Sequence, residues 1–261
     1  MQNAEFRTLH SSLCIPHSAS SIQSNNMRKL LFVIAIVIAA ISCRSQHPLE
    51  GMVIVNTDEE AAKAGKTLTD EDYKEVAKML GVDVAAIKAV VDIEAGAAHE
   101  GFWTEGRPII NFDLSVYRKR AAANKVDLSK AQKKHPEIFQ SPNRKKYGSQ
   151  QAAQWARLDQ AMEVDTVSAI EGTFWGMFQI GGFNYKLCGT KSPLEFAKKM
   201  ATSERDQLDL FAKLLISTGM VKPLRKHDWA EFARRYNGPS YAKRGYHTRM
   251  AKAYAKFKKE K

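Results

Sequence analysis

The chain has 261 residues, a formal net charge of +12 and a hydrophobic fraction of 44%. That suits one good-sized domain with appendages, and three cysteines are too few for a disulfide-framework protein. The cation excess lies at the C-terminal end, where residues 222–261 hold thirteen Lys/Arg against three Asp/Glu; such a surface favours polyanions (nucleic acid, an anionic membrane face or a wall bearing carboxylates) without choosing among them.

Residues 1–26 are polar, rich in Ser, Asn and Gln, and without a pattern. Met27 then opens MRKLLFVIAIVIAAISC, which ends at Cys43. Arg28 and Lys29 form a basic n-region, and Leu30 to Ile41 an apolar run too short for the roughly 20 residues of a comfortable span. This is the form of a secretory signal peptide over residues 27–42, the alternative being a membrane-anchoring helix. Met27 is therefore expected to be the true start, with residues 1–26 translated from upstream of it as a non-native or disordered leader. Ala40-Ile41-Ser42-Cys43 resembles the lipobox of bacterial lipoproteins, although Ala40 stands where leucine is commoner. The resemblance implies lipidation of Cys43, a membrane anchor at the N-terminus and an exported, periplasmic protein. Cys14 would go with the leader, which leaves Cys188 alone and no structural disulfide. Residues 43–66 have little periodicity and suit a tether from the lipid to a folded domain over residues 67–261.

Thr69-Asp70-Glu71-Asp72 is an N-cap followed by acidic first-turn residues, and Tyr73, Val76, Ala77 and Leu80 continue at helical spacing to Gly81, a C-cap. Asp83 caps a second helix that runs to about Glu94, with Gly96 expected to stop it. Val84, Ile87 and Val91 share one face of that helix, and Glu94 is the next member of the series. An acid therefore stands where an apolar residue is expected. Burial and the negative end of the helix dipole both raise the pKa of such a carboxyl, and a carboxyl that stays protonated near neutral pH can act as a general acid. The plainer alternative is an exposed glutamate beside a glycine cap.

GFWTEGRPIINFD, residues 101–113, brings turn residues Gly106 and Pro108 and a short β-like run from Ile109 to Phe112. A helix is expected over 114–124 and a polar loop over 127–148, with Pro136 and Pro142. Helices are expected again over 150–162, 166–171, 192–201, 203–217, 229–235 and 241–259. The chain is thus mainly α with one small β element. It has no alternating β/α pattern, no glycine-rich phosphate loop and no His/Cys cluster with metal-ligand spacing, so neither a metal nor a cofactor is expected.

Two further segments could carry chemistry. Gly172 to Tyr185, GTFWGMFQIGGFNY, is dense in glycines and aromatics. Glycines let a backbone approach a ligand, aromatic faces stack on sugar rings and amides bond their hydroxyl and acetamido groups; a packed turn between core helices is the alternative. Tyr236-Asn237-Gly238-Pro239-Ser240-Tyr241 suits a cleft rim, though a β-turn explains it equally well.

A glutamate ending a helix, then a Gly/aromatic-Gln segment, then a Tyr-Asn-Gly turn resembles the lysozyme superfamily, which includes goose-type lysozymes and soluble lytic transglycosylases. The match is closer to the N-acetylmuramidase domain of phage endolysins, and runs from about Leu68 to Lys256. It covers LTDEDYKEVAKMLGVDVAAIKAVVDIEAG, GRPIINFD, TFWGMFQIGGFNYKLCG, SERDQLDLF and DWAEFARRYNGPSYAKRGYHTRMAKAY. The resemblance implies an α+β lysozyme-like fold, with two helical lobes around a cleft. It implies cleavage of the β-1,4 bond between N-acetylmuramic acid and N-acetylglucosamine, with Glu94 as the catalytic acid. Tyr236 and Asn237 would line the reacting site, and Trp175, Gln179 and Tyr241 would hold the glycan. Glycosidases commonly use a second carboxylate. Asp113 is the first candidate, where the family usually has Glu after Phe; Glu171 is the second, and Asp113 also reads as a helix N-cap. Without either, Glu94 would work with the substrate's own acetamido group, as lytic transglycosylases do. Two departures from the family pattern stand out: Ala95 replaces a serine that often follows the acid, and Phe174 replaces a small residue before Trp-Gly. The expected partners are peptidoglycan strands and, through the lipid, a membrane; no nucleic-acid motif is present, and a monomer is expected. A catalytically silent peptidoglycan-binding lipoprotein is the alternative from another class.

Overall fold

The computed structural model describes residues 67–95, 100–140 and 150–260. The export segment, Cys43 and the tether lie outside these residues, as does Gly96. All of the described residues belong to one compact unit, His47–Lys261.

Helix α1, Asp70–Leu80, begins with a reciprocal cap: Asp72 N donates to Thr69 Oγ1 and Thr69 N to the Asp72 carboxylate. It ends on Gly81 in the left-handed conformation that glycine tolerates best. The Arg225 guanidinium donates to the carbonyls of Leu80 and Gly81, which the helix itself leaves unpaired. Helix α2, Val84–Glu94, starts at Asp83, whose side chain accepts from Ala86 N at 2.9 Å. The same Asp83 Oδ2 meets His227 Nε2 and the Tyr254 hydroxyl, both at 3.0 Å. Ala86, Ile87, Ala89, Val90 and Val91 are all buried, so α2 is enclosed on more than the one face its spacing predicts.

A hairpin follows, β1 (Phe102–Thr104) and β2 (Arg107–Pro108), antiparallel around Gly106. Strand β3, Ile110–Phe112, then joins a three-stranded antiparallel sheet in the order β3-β4-β5. Strands β4 (Thr173–Trp175) and β5 (Ile180–Gly181) come from the glycine- and aromatic-rich segment. The sequence predicts one β element; long-range pairing makes two. The other edge of β3 does not go unpaired. Gln151 bonds the N–H and carbonyl of Ile110, and Gln154 accepts from Phe112 N. Both glutamines belong to the long helix below.

The remaining helices are α3 (Leu114–Ala123), α4 (Ser129–Lys134), α5 (Pro136–Phe139), α6 (Gln151–Val164), α7 (Thr166–Glu171), α8 (Pro193–Met200), α9 (Glu204–Ser217), α10 (Val221–Arg225), α11 (Trp229–Asn237) and α12 (Tyr246–Phe257). Residues 129–139, expected as loop, form α4 and α5. Pro136 starts α5 at a position where its missing N–H costs nothing, and Ala131 and Ile138 anchor the pair in the core. The last helix begins five residues later than expected, because Gly245 takes a left-handed conformation and Pro239–Tyr241 form a separate 3₁₀ turn. Helix α12 packs along α2 and against α11. The fold is α+β and lysozyme-like, with helices around a cleft.

The first turn of α9 holds several of these pieces together. Glu204 accepts from Leu68 N at 3.1 Å and from Gly101 N at 2.8 Å. Gln207, wholly buried, donates to the carbonyls of Gly101 and Met200 and accepts from Met177 N at 2.9 Å. Arg205 between them binds Asp72 and Glu75 of α1. Replacing Gln207 with Leu would take this partner from the buried Met177 N–H and Met200 carbonyl, and one of two bonds from the Gly101 carbonyl, which keeps Ile109 N. We expect a loss of about 3 kcal/mol, measured as a lower urea midpoint with an unchanged slope.

Candidate functional site

The α2 helix ends at Glu94, and Ala95 closes its last turn with an N–H to Val91 O bond of 2.8 Å. Apolar packing on Ile87, Val90 and Val91 draws the end of the helix inward and takes the carboxyl partly out of water. Burial pushes Glu94 up to about 7; an amide bond from Asn237 and the positive field of Arg249 act the other way. Asn237 Nδ2 donates across the carboxylate, 3.2 Å to Oε1 and 3.3 Å to Oε2. Asn237 Oδ1 is buried and accepts no hydrogen bond among the described residues. A turned amide would let it accept the O–H of the neutral acid, so either protonation state of Glu94 finds a partner here.

The carboxyl faces a cleft of about 540 Å³. The sheet supplies Asn111, Phe174 and Gly181. Register explains why: Asn111 pairs with Phe174 and Phe174 with Gly181, so all three share one face. The neighbouring pairs, Ile110 with Trp175 and Phe112 with Thr173, are buried on the other face. Gly181 and Gly182 carry no side chain because none fits. A β-carbon on Gly182 would overlap the Ile170 carbonyl, and one on Gly181 would overlap the Phe183 ring. Phe183 meets Phe174 edge to face, and both rings line the cleft with Asn184.

Gln179 lines the cleft in a left-handed conformation, φ 48°, which costs a non-glycine residue about 1–2 kcal/mol. Two bonds to Gly176 O, from its own N–H and from Nε2, hold the turn. Tyr236 reaches the cleft from α11, with its hydroxyl donating to Phe178 O at 2.7 Å. Burial, and then the Glu94 charge, push its phenol well above the ordinary tyrosine range. Tyr236 thus fixes the 176–179 turn against the helix that carries Asn237.

Glu94, Gln179, Tyr236 and Asn237 are brought together in this lining. Three other expected residues are not. Trp175 has no exposed surface; its Nε1 donates to Ile170 O at 3.0 Å and its ring packs edge-on to Trp155. It supports the cleft from the core and offers no face to a glycan. Tyr241 packs its ring against His247 and lies outside the lining. Asp113 caps α3, accepting from Val116 N at 2.9 Å, while its own N–H binds Gly172 O. Its carboxylate is used in joining β3 to α3, and it does not line the cleft. Glu171 is buried, with Asn124 Nδ2 at 3.3 Å, and also lies outside. Among the described residues Glu94 is the only carboxylate in the lining, and no three His, Cys, Asp or Glu side chains are grouped to hold a metal.

Sequence reasoning passed over Asn111, Arg235 and Tyr246, and covered Phe183 and Asn184 only as part of the 172–185 segment; all five line the cleft. The alternation Ile110-Asn111-Phe112 was a signal for Asn111. Tyr246 shows only once α12 is known to begin there.

The family model for N-acetylmuramidase matches residues 83–258. The fold is similar to the crystal structure of Burkholderia AP3 phage endolysin, with a TM-score of 0.64 and 34% identity, covering 74% of this chain and 72% of that one. No curated protein matches the chain.

The raised pKa has a thermodynamic consequence. Between the ordinary glutamate range and about 7 the folded state binds more proton than the unfolded state, so Glu94 costs stability as pH rises through that window. Glu94→Gln removes the cost. At pH 8 the variant should be more stable than the parent by about 1–3 kcal/mol, and the gap should close by pH 4. Urea unfolding of both proteins across that range measures it, and a constant gap would contradict a raised Glu94.

Proposed function

The chain belongs to the N-acetylmuramidase family, which makes it a lysozyme-like peptidoglycan hydrolase, and on that premise we propose that it cleaves the β-1,4 bond between N-acetylmuramic acid and N-acetylglucosamine with Glu94 as general acid. The observation that carries the proposal is the half-buried Glu94, raised to about 7, facing a cleft of glycan-sized chemistry. The neutral carboxyl donates its proton to the glycosidic oxygen. The bond from that oxygen to the muramic C1 breaks, and the oxygen keeps the electron pair. Water adds at C1 and yields a reducing end, and the proton it sheds restores the neutral Glu94. Asn237 holds the carboxyl in place in both states. Phe174 and Phe183 give aromatic faces for sugar rings, and Asn111, Asn184 and Gln179 give amides for hydroxyl and acetamido groups.

Asp113 is better read as the cap that positions β3 and α3 than as the second catalytic carboxylate, since its oxygen is engaged by Val116 N. The lone carboxylate of the cleft also supports a second reading. In it the substrate's acetamido or 6-hydroxyl group replaces water at C1 and the product is a 1,6-anhydro sugar. We further place the enzyme outside the cytoplasm, as a monomer held to a membrane by lipid on Cys43; among the described residues no helix is long and apolar enough to cross one.

Glu94→Gln should lower release of reducing ends from purified peptidoglycan by about 10²–10⁴-fold while the fold survives; full activity would end the assignment. In the parent enzyme, kcat/KM should fall as pH rises through about 7, as the acid loses its proton. Mass spectrometry of the products separates the two readings, because anhydro ends are lighter by one water.

A further inference from the structure

Part of the cleft lining has no role in the proton transfer and sugar contacts proposed above. Leu187, Leu214, Thr218, Met220 and Arg235 form it. Two contacts tie it together: Ser217 Oγ donates to Leu187 O at 2.8 Å, and Arg235 Nη1 to Thr218 O at 3.4 Å. Arg235 Nε also donates to Glu231 Oε1 at 2.7 Å. Glu231 is shared, because Arg234 holds both of its oxygens at 2.8 Å. Two guanidinium groups on one carboxylate leave a net positive charge. Among the described residues Arg235 is the only cation in the lining.

In intact peptidoglycan the backbone gives this cation nothing to pair with, since its sugars carry hydroxyls, acetamides and ring oxygens, and the lactyl carboxyl of muramic acid is tied up in the amide to its peptide. Its carboxylates belong to the short peptides that branch from every second sugar, the muramic acid. Those peptides also carry small aliphatic side chains. An apolar pocket with one oriented guanidinium matches that chemistry. The geometry points to this part of the cleft as a stem-peptide subsite, with a peptide carboxylate on Arg235 and aliphatic groups on Leu187, Leu214 and Met220. The assignment rests on the peptidoglycan reading above. It also deepens that reading. Arg235 and Asn237 share the last turn of α11, and Asn237 bonds the acid. Arg235 and Glu94 also line the same cleft, so a sugar whose branch reaches Arg235 is held in the cleft of the acid. Backbone β-1,4 bonds alternate in type, and reading the branch selects the bond whose C1 belongs to muramic acid.

The test compares stem-bearing muropeptide chains with the same chains stripped of peptide by an amidase, their freed lactyl carboxylates then capped as methyl amides. Binding is measured calorimetrically in a Glu94→Gln background, with and without Arg235→Gln, and kcat/KM is measured with Glu94 intact. The preference for stem-bearing chains should fall about tenfold with Arg235→Gln, mostly through KM, and Arg235→Lys should keep part of it. An unchanged preference overturns the subsite, as does an equal loss on both chains, which would mark Arg235 as purely structural. If the parent neither binds nor cleaves any chain, the peptidoglycan reading itself fails, and the subsite with it.

Discussion

The first turn of α9 is the constraint on which the site depends. Glu204 and Gln207 are buried polar groups, and each would be costly if left without partners. Their partners are backbone groups from Leu68, Gly101, Met177 and Met200. These come from four places in the chain: the entrance to α1, the start of the first hairpin, the turn between β4 and β5, and the end of α8. Satisfying two side chains therefore fixes four segments at once. Gly176 is part of the same arrangement, because a β-carbon there would strike the Gln207 amide. The turn that presents Gln179 to the cleft is thus set from behind by a polar network, and from the front by the Tyr236 hydroxyl on Phe178 O.

Against this frame α2 does something a stable helix would avoid. Its apolar residues carry a carboxyl into a poorly solvated place. Folding tolerates the loss because the rest of the helix buries Ile87, Val90 and Val91 completely or nearly so. Stability and chemistry pull in opposite directions at a single residue, as P-loops and catalytic acids elsewhere do at strained or desolvated positions. The Asn237 amide moderates the conflict. It favours the charged form enough to bring the pKa near neutrality without abolishing the shift.

Much of this was legible in the residues. Thr69, Gly81 and Asp83 cap where local chemistry says they should, and the i, i+3, i+7 series of α2 put Glu94 on its inner face. The failures share a cause: they required partners distant in sequence. Trp175 looked like a ligand-binding aromatic because nothing local says which face of β4 meets Trp155. Asp113 looked equally able to serve as a cap or a catalytic group, and its bond from Val116 N and its absence from the cleft lining decide. Residues 129–139 read as loop from their polarity and proline, and two buried side chains were enough to make them helical. Arg235 was invisible as a site residue because its charge is one of many in the C-terminal third.

The packing of α12 along α2 has a consequence for the order of assembly. Tyr254 bonds Asp83 at the start of α2, and Arg249 shapes the field at its end. The partners that define Glu94 therefore stand more than 140 residues downstream of it. A ribosome delivers α2 long before α11 and α12, so the amide and the cation that set the surroundings of Glu94 are made last. A molecule cut before α11 keeps Glu94 but loses Asn237, Tyr236 and Arg249, the groups that shape its surroundings in the folded protein.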